Sequence, residues 1–85
     1  MKFWQAITWA ETEQLIEIAR FAEEMVFHGL MSGDHAVYPE SIVPNYPYSE
    51  SGVPPMQPDD EYPDQTAIFA AMAAVTSKLL FTCGV

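Results

Sequence analysis

All seven prolines of this 85-residue chain lie between positions 34 and 63. Proline has no N–H and clashes with the preceding helical turn, so so dense a run forms neither a regular helix nor an inner strand. Residues 34–63 are therefore one long connection, and regular structure is confined to the blocks on either side. Connections beyond roughly 12–15 residues without structure of their own are usually functional or disordered. Tyr38, Tyr46, Tyr48 and Tyr62 give this one aromatic surface with which to pack down.

The first block opens with residues 2–8 (KFWQAIT), rich in aromatic and β-branched side chains, a strand pattern. A helix is expected over 12–26. Thr12 is its candidate cap, and Glu13 lies in the first turn, where the helix dipole favours negative charge. Leu15, Ile16, Ala19, Ala22 and Val26 recur at helical spacing, with Ile18 and Met25 widening the stripe. Residues 28–33 (HGLMSG) suit a short buried strand. In the second block Asp64 caps an alanine-rich helix over 64–77 with Ile68, Phe69, Met72 and Val75 as its stripe, and residues 79–85 (LLFTCGV) form a third strand.

Strand, helix, strand, helix, strand in that order implies an α/β fold with parallel strands and right-handed crossovers. Two such crossovers joining neighbouring strands put both helices on one face of the sheet and leave the other bare. The first strand is nevertheless apolar on both sides, Phe3 and Ile7 alternating with Trp4 and Ala6. Parallel sheets are found covered on both faces. The expectation is a single partial domain, a piece of a larger architecture.

Charge narrows the function. Three Lys and Arg against twelve Asp and Glu give a formal net charge of −9. Lys2, Arg20 and Lys78 are too few to neutralise a phosphate backbone or an anionic membrane, so neither is expected as a partner. One cysteine, Cys83, excludes an internal disulfide and a multi-thiolate metal site. No apolar run approaches a membrane span, and Glu11 and Glu13 interrupt the first apolar stretch before it resembles a signal peptide. A cytoplasmic chain is expected.

Asp34 and His35 follow directly on the second strand, at its carboxyl end, where parallel α/β folds place their chemistry. A histidine there serves as acid, base or hydrogen-bond donor near neutral pH, and an adjacent carboxylate orients it. An ordinary polar turn is the plainer alternative. Trp9, ending the first strand on the same side, walls an apolar pocket or belongs to the core. His28, at the opposite end of the second strand, is structural in this reading. Cys83 is expected as a buried small hydrophobe with no cation nearby to activate it. Asp59, Asp60, Glu61 and Asp64 lack the alternating spacing of a calcium loop and read as a solvated charge run ending in a helix cap, so no metal is expected.

Taken together, KFWQAITWAETEQLIEIARFAEEM, FHGLMSGDH, YPYSESGVPP and AIFAAMAAVTSKLLFTCGV resemble the amino-terminal part of the bacterial-luciferase-like (luciferase-like monooxygenase) oxidoreductases. That superfamily holds flavin-dependent monooxygenases and deazaflavin-dependent dehydrogenases. The resemblance spans residues 2–85 and implies the first part of a TIM (β/α)8 barrel, three strands and two helices of it. It implies that Asp34 and His35 lie over the reactive face of FMN or a deazaflavin coenzyme, with His35 accepting the substrate proton as hydride moves to the ring. It also implies that Gly84 and Val85 back the ring near a non-prolyl cis peptide, and that Trp9 lines the substrate pocket. Two positions depart from the family pattern: Val26 stands where a helix-ending glycine belongs, and Cys83 where a threonine or other small residue is usual. Two functions follow as alternatives. One is an oxidoreductase segment working with the missing barrel strands, the chain alone binding no cofactor. The other is a non-catalytic, self-associating α/β piece, a homo-oligomer.

Overall fold

A computed structural model of the chain describes residues 1–34, 47–52, 57 and 59–84. In order they form β1 (Trp4–Ala6), a 3-10 turn (Thr12–Gln14), α1 (Leu15–Glu24), β2 (Gly29–Gly33), α2 (Gln65–Ala73) and β3 (Leu80–Gly84). The strands make one parallel sheet in the order β1-β2-β3. This is the α/β alternation expected, with each element lying inside its expected span; β1, α1 and α2 end sooner, while β2 ends at Gly33 as expected. No helix among the described residues is long and apolar enough to cross a membrane.

The register places Gln5, Leu30 and Phe81 in one row, with Trp4, Gly29 and Leu80 before it and Ala6, Met31 and Thr82 after it. Because side chains alternate between faces, Leu30 and Phe81 point with Ile7 toward the helices. There Leu30 and Met72 are fully buried among Leu15, Ala19, Ala22 and Leu79, and the Phe69 and Phe81 rings stack at 5.6 Å. The intervening rows point the other way and stay exposed: Trp4 at 38%, Met31 at 43% and Leu80 at 48%. Trp4 folds over Gly29 and meets His28 edge-on at 5.2 Å, while the His28 N–H bonds to the Phe3 carbonyl. His28 is thus built into the amino end of the sheet.

Three local devices set the helices. Thr12 opens the 3-10 turn rather than capping α1; neither Glu11, which precedes the turn, nor Gln14, which ends it and precedes α1, supplies a side-chain cap, and the Thr12 N–H points instead to Glu61 Oε2 at 3.4 Å. Asp64 does cap α2, accepting from the Ala67 N–H at 2.9 Å. At the other end of α1 the Phe27 N–H reaches the Ala22 carbonyl and the Val26 N–H reaches Glu23, the paired bonds of a Schellman ending. That ending turns Val26 to φ 64° and leaves it 85% exposed, with Met25 also exposed, so neither extends the buried stripe.

Glu23 also ties the two crossovers together. Its carboxylate accepts the consecutive N–H groups of Ser77, Lys78 and Leu79 at 2.7–3.0 Å and the Ser77 hydroxyl at 3.3 Å. The Lys78 N–H chiefly, helped by those of Ser77 and Leu79 and against the cost of desolvation, holds its pKa below the ordinary value of 4.5. The turn that launches β3 is thereby fastened to the end of α1.

Candidate site at the carboxyl end of the sheet

The ends of all three strands converge on one side of the molecule. The β2–β3 ladder runs one residue past β2, with the Asp34 N–H donating to the Gly84 carbonyl at 3.0 Å. The β1–β2 junction is closed by the Gly33 N–H donating to Thr8 Oγ1 at 3.2 Å. Asp34 is therefore fixed by its backbone beside Gly84, with its side chain exposed. His35, the residue expected to carry the chemistry, lies outside the described residues, as does Val85. The described residues contain no cis peptide, and the Gly84–Val85 step is not among them.

Trp9 stands in the turn after β1, about half exposed, and its ring meets Tyr62 edge-on at 6.2 Å. The Tyr62 hydroxyl comes within 3.4 Å of the position a Cβ on Gly33 would take, and Thr8 Cγ2 within 3.8 Å of it. Burial first, then the charges of Asp34 and Cys83, push the Tyr62 pKa above its ordinary 10.0, so the phenol keeps its proton. Tyr62 thus joins Trp9, Asp34 and Cys83 in a way the sequence reading missed. Its signal was its place just before the Pro63–Asp64 helix start, which returns the chain to the carboxyl end of the strands. Cys83 is exposed, not buried as expected, with Sγ 3.7 Å from the Gly84 carbonyl. In the described sheet β3 is an edge strand, and α2 stops at Ala73, short of its far end.

The acidic residues are distributed largely as a solvated surface. Asp60 accepts from the Gln57 N–H at 2.7 Å and Asp64 caps α2. Glu11, Glu13 and Glu61, all exposed, bring carboxylate oxygens within 4.8 Å of one another. Beside them, Trp9, Asp59 and Asp60 help line an open cleft of about 500 Å³.

No family model, curated protein or solved structure matches the chain.

Proposed function

We propose that this chain is the amino-terminal β-α-β-α-β segment of a TIM (β/α)8 barrel, in a luciferase-like oxidoreductase that uses FMN or a deazaflavin coenzyme. The observation that carries the reading is the bond from the Asp34 N–H to the Gly84 carbonyl. It holds the residue before His35 over the ends of two parallel strands, where such folds place their chemistry.

The residues present have room for a flat ring. Gly33 and Gly84 end their strands without side chains; the Tyr62 hydroxyl stands 3.4 Å from where a Cβ on Gly33 would be, and among the described residues nothing lies within 4 Å of that position on Gly84. When bound, the cofactor supplies the hydride acceptor or the oxygen-activating centre. In this reading His35 takes the substrate proton, Asp34 orients that imidazole, and Trp9 with Tyr62 walls the pocket against water. Lys2 and Lys78 precede β1 and β3, at the amino end, and Arg20 lies on α1. None is positioned at the carboxyl end to hold a cofactor phosphate, so the chain alone binds no cofactor and shows no turnover. The missing barrel strands supply that contact, and the setting is cytoplasmic.

The test is to purify the protein in its complete natural form and titrate it with FMN and with the deazaflavin. Saturable binding, with His35→Ala lowering turnover about 10²-fold at unchanged cofactor affinity, supports the reading. Failure of both cofactors to bind that complete form overturns it. A second reading, a self-associating piece without activity, is favoured by one observation, the exposed row of Trp4, Met31 and Leu80.

A further inference from the structure

The Glu23 carboxylate sits as a bound anion would sit. Its Oε2 accepts three consecutive backbone N–H groups, Ser77 at 2.8 Å, Lys78 at 2.7 Å and Leu79 at 3.0 Å. Its Oε1 takes the Ser77 hydroxyl at 3.3 Å and a share of the Ser77 N–H at 3.0 Å. Successive N–H groups of a turn that point at one centre make a concave anion-binding nest. Lys78, one of only three Lys and Arg residues in the chain, lies in the bend itself.

The bend is fixed at both ends by contacts that do not involve Glu23. On the α2 side the Val75 N–H donates to the Met72 carbonyl at 3.2 Å, and Thr76 Oγ1 donates to the same carbonyl at 2.9 Å. On the β3 side Leu79 is buried in the core, and the Leu80 N–H donates to the His28 carbonyl at 3.2 Å. Only Ser77 and Lys78 lie between these anchors, so the three N–H groups are directed by the backbone on either side.

We infer that the bend at residues 77–79 is a preformed oxyanion-binding site, that Glu23 fills it as a tethered internal ligand, and that a free carboxylate or phosphate group takes the same place once the Glu23 carboxylate is removed. While Glu23 is present, its tether gives it an effective concentration in about the millimolar range or above, and a dilute free anion does not displace it. The adjacent Glu24 and the net charge of −9 oppose a polyanion, so the ligand class is a small oxyanion. The site lies at the amino end of β3, opposite Asp34 and Gly84, and the inference does not depend on the oxidoreductase reading.

The test is Glu23→Ala in the purified chain, with amide NMR spectra recorded while sodium acetate or sodium phosphate is added, and sodium chloride at matched ionic strength as the control. The Ser77, Lys78 and Leu79 amide signals of the variant should move saturably with acetate and with phosphate and hold still in chloride. The same signals of the wild type should hold still in all three. A response to one oxyanion alone assigns the nest to that class. Thermal melts give a second readout: Glu23→Ala should lose about 5 °C or more, and a saturating oxyanion should return at least half of that loss relative to wild type in the same salt. Should Glu23→Ala fail to fold, Glu23→Gln keeps the side-chain volume without the charge, and the same saturable shifts are expected of it. Amide signals that ignore both oxyanions, or that follow chloride equally, overturn the proposal, because they would show that Glu23 itself shapes the bend.

Discussion

Val26 is the one described residue other than glycine with positive φ, 64°. A β-branched side chain is poorly suited to that region, because Cβ crowds the following carbonyl at a cost of about 1–2 kcal/mol. The Schellman bonds from Phe27 to Ala22 and from Val26 to Glu23 hold it there. At 85% exposure the side chain returns almost nothing by burial. Val26→Gly removes the crowding, offset by about 0.4–1 kcal/mol from the greater freedom of glycine in the unfolded chain. The net expectation is a stabilisation of about 0.5–1 kcal/mol. For a chain of this size that is about 2–8 °C in the melting midpoint. Urea titration at fixed protein concentration, with Val26→Ala as the control that retains Cβ, measures it. The urea midpoint should rise for glycine above both wild type and alanine at an unchanged slope. A glycine variant no more stable than the alanine variant would show that the ending bears no strain, and the reasoning from φ would fall.

Glu23→Gln should lower stability at neutral pH, with the wild type converging on the variant in acid. Because the folded-state pKa lies below 4.5, the unfolded chain binds the proton first as pH drops; the Glu23 contribution is fully present above that value and is lost as pH falls through the folded value. Urea midpoints measured from neutral pH into acid check the sign, and parallel curves would refute it. Gly29→Ala should destabilise by about 1–3 kcal/mol, since its Cβ would overlap the Trp4 ring and lie 2.6 Å from the Leu80 carbonyl. Adding Trp4→Ala should recover only part of the loss, because the carbonyl contact remains; full recovery would locate the whole clash in the ring. Tyr62 should ionise above its ordinary 10.0 in an ultraviolet titration, and Tyr62→Phe should delete that step. Its raised pKa gives stability that is whole below pH 10 and is lost as pH climbs through the folded value, so alkaline melts of the phenylalanine variant should fall off less.

Local patterns were the legible part of this fold. The period of Leu15, Ala19 and Ala22, the Asp64 cap and the alternation of strands and helices each depend on neighbours in sequence, and each stands in the structure. Val26 at the place of a helix-ending glycine was visible as well, and its φ is the physical form of that mismatch. What the sequence hid is tertiary. Glu23 looks like any solvent-facing glutamate of an amphipathic helix until the turn at 77–79 arrives against it. Thr12 has the chemistry of a cap, yet a 3-10 turn and Glu61 from a distant segment take its place. Cys83 was expected as a buried small hydrophobe, but in the described sheet it lies on an edge strand that outlasts α2. Of the site, Asp34 and Trp9 follow from their places after strands, whereas Tyr62 required knowing where the long connection returns.

The barrel reading and the self-associating reading place competing demands on the same face, and Met31 separates them. In a barrel segment the face of Met31 turns inward against other strands, so a charge there costs folding of the complete protein whatever the concentration. In a self-associating chain the same charge acts through a partner, and its effect disappears on dilution below the dissociation constant. Gly84 bears on both readings independently, since no described residue beyond its chain neighbours lies within 4 Å of a Cβ placed there, which leaves room for a cofactor ring or for another chain. Gly84→Leu should therefore weaken association of the short chain by about 10-fold or more through filled space. In the complete protein it should abolish cofactor binding while leaving the melting midpoint within a few degrees, because among the described residues no neighbouring atom lies within 4 Å of the added Cβ. A Gly84→Leu chain that associates as tightly as wild type would remove the partner from that end of the sheet. A complete protein that keeps its cofactor affinity with leucine at 84 would remove the ring from it.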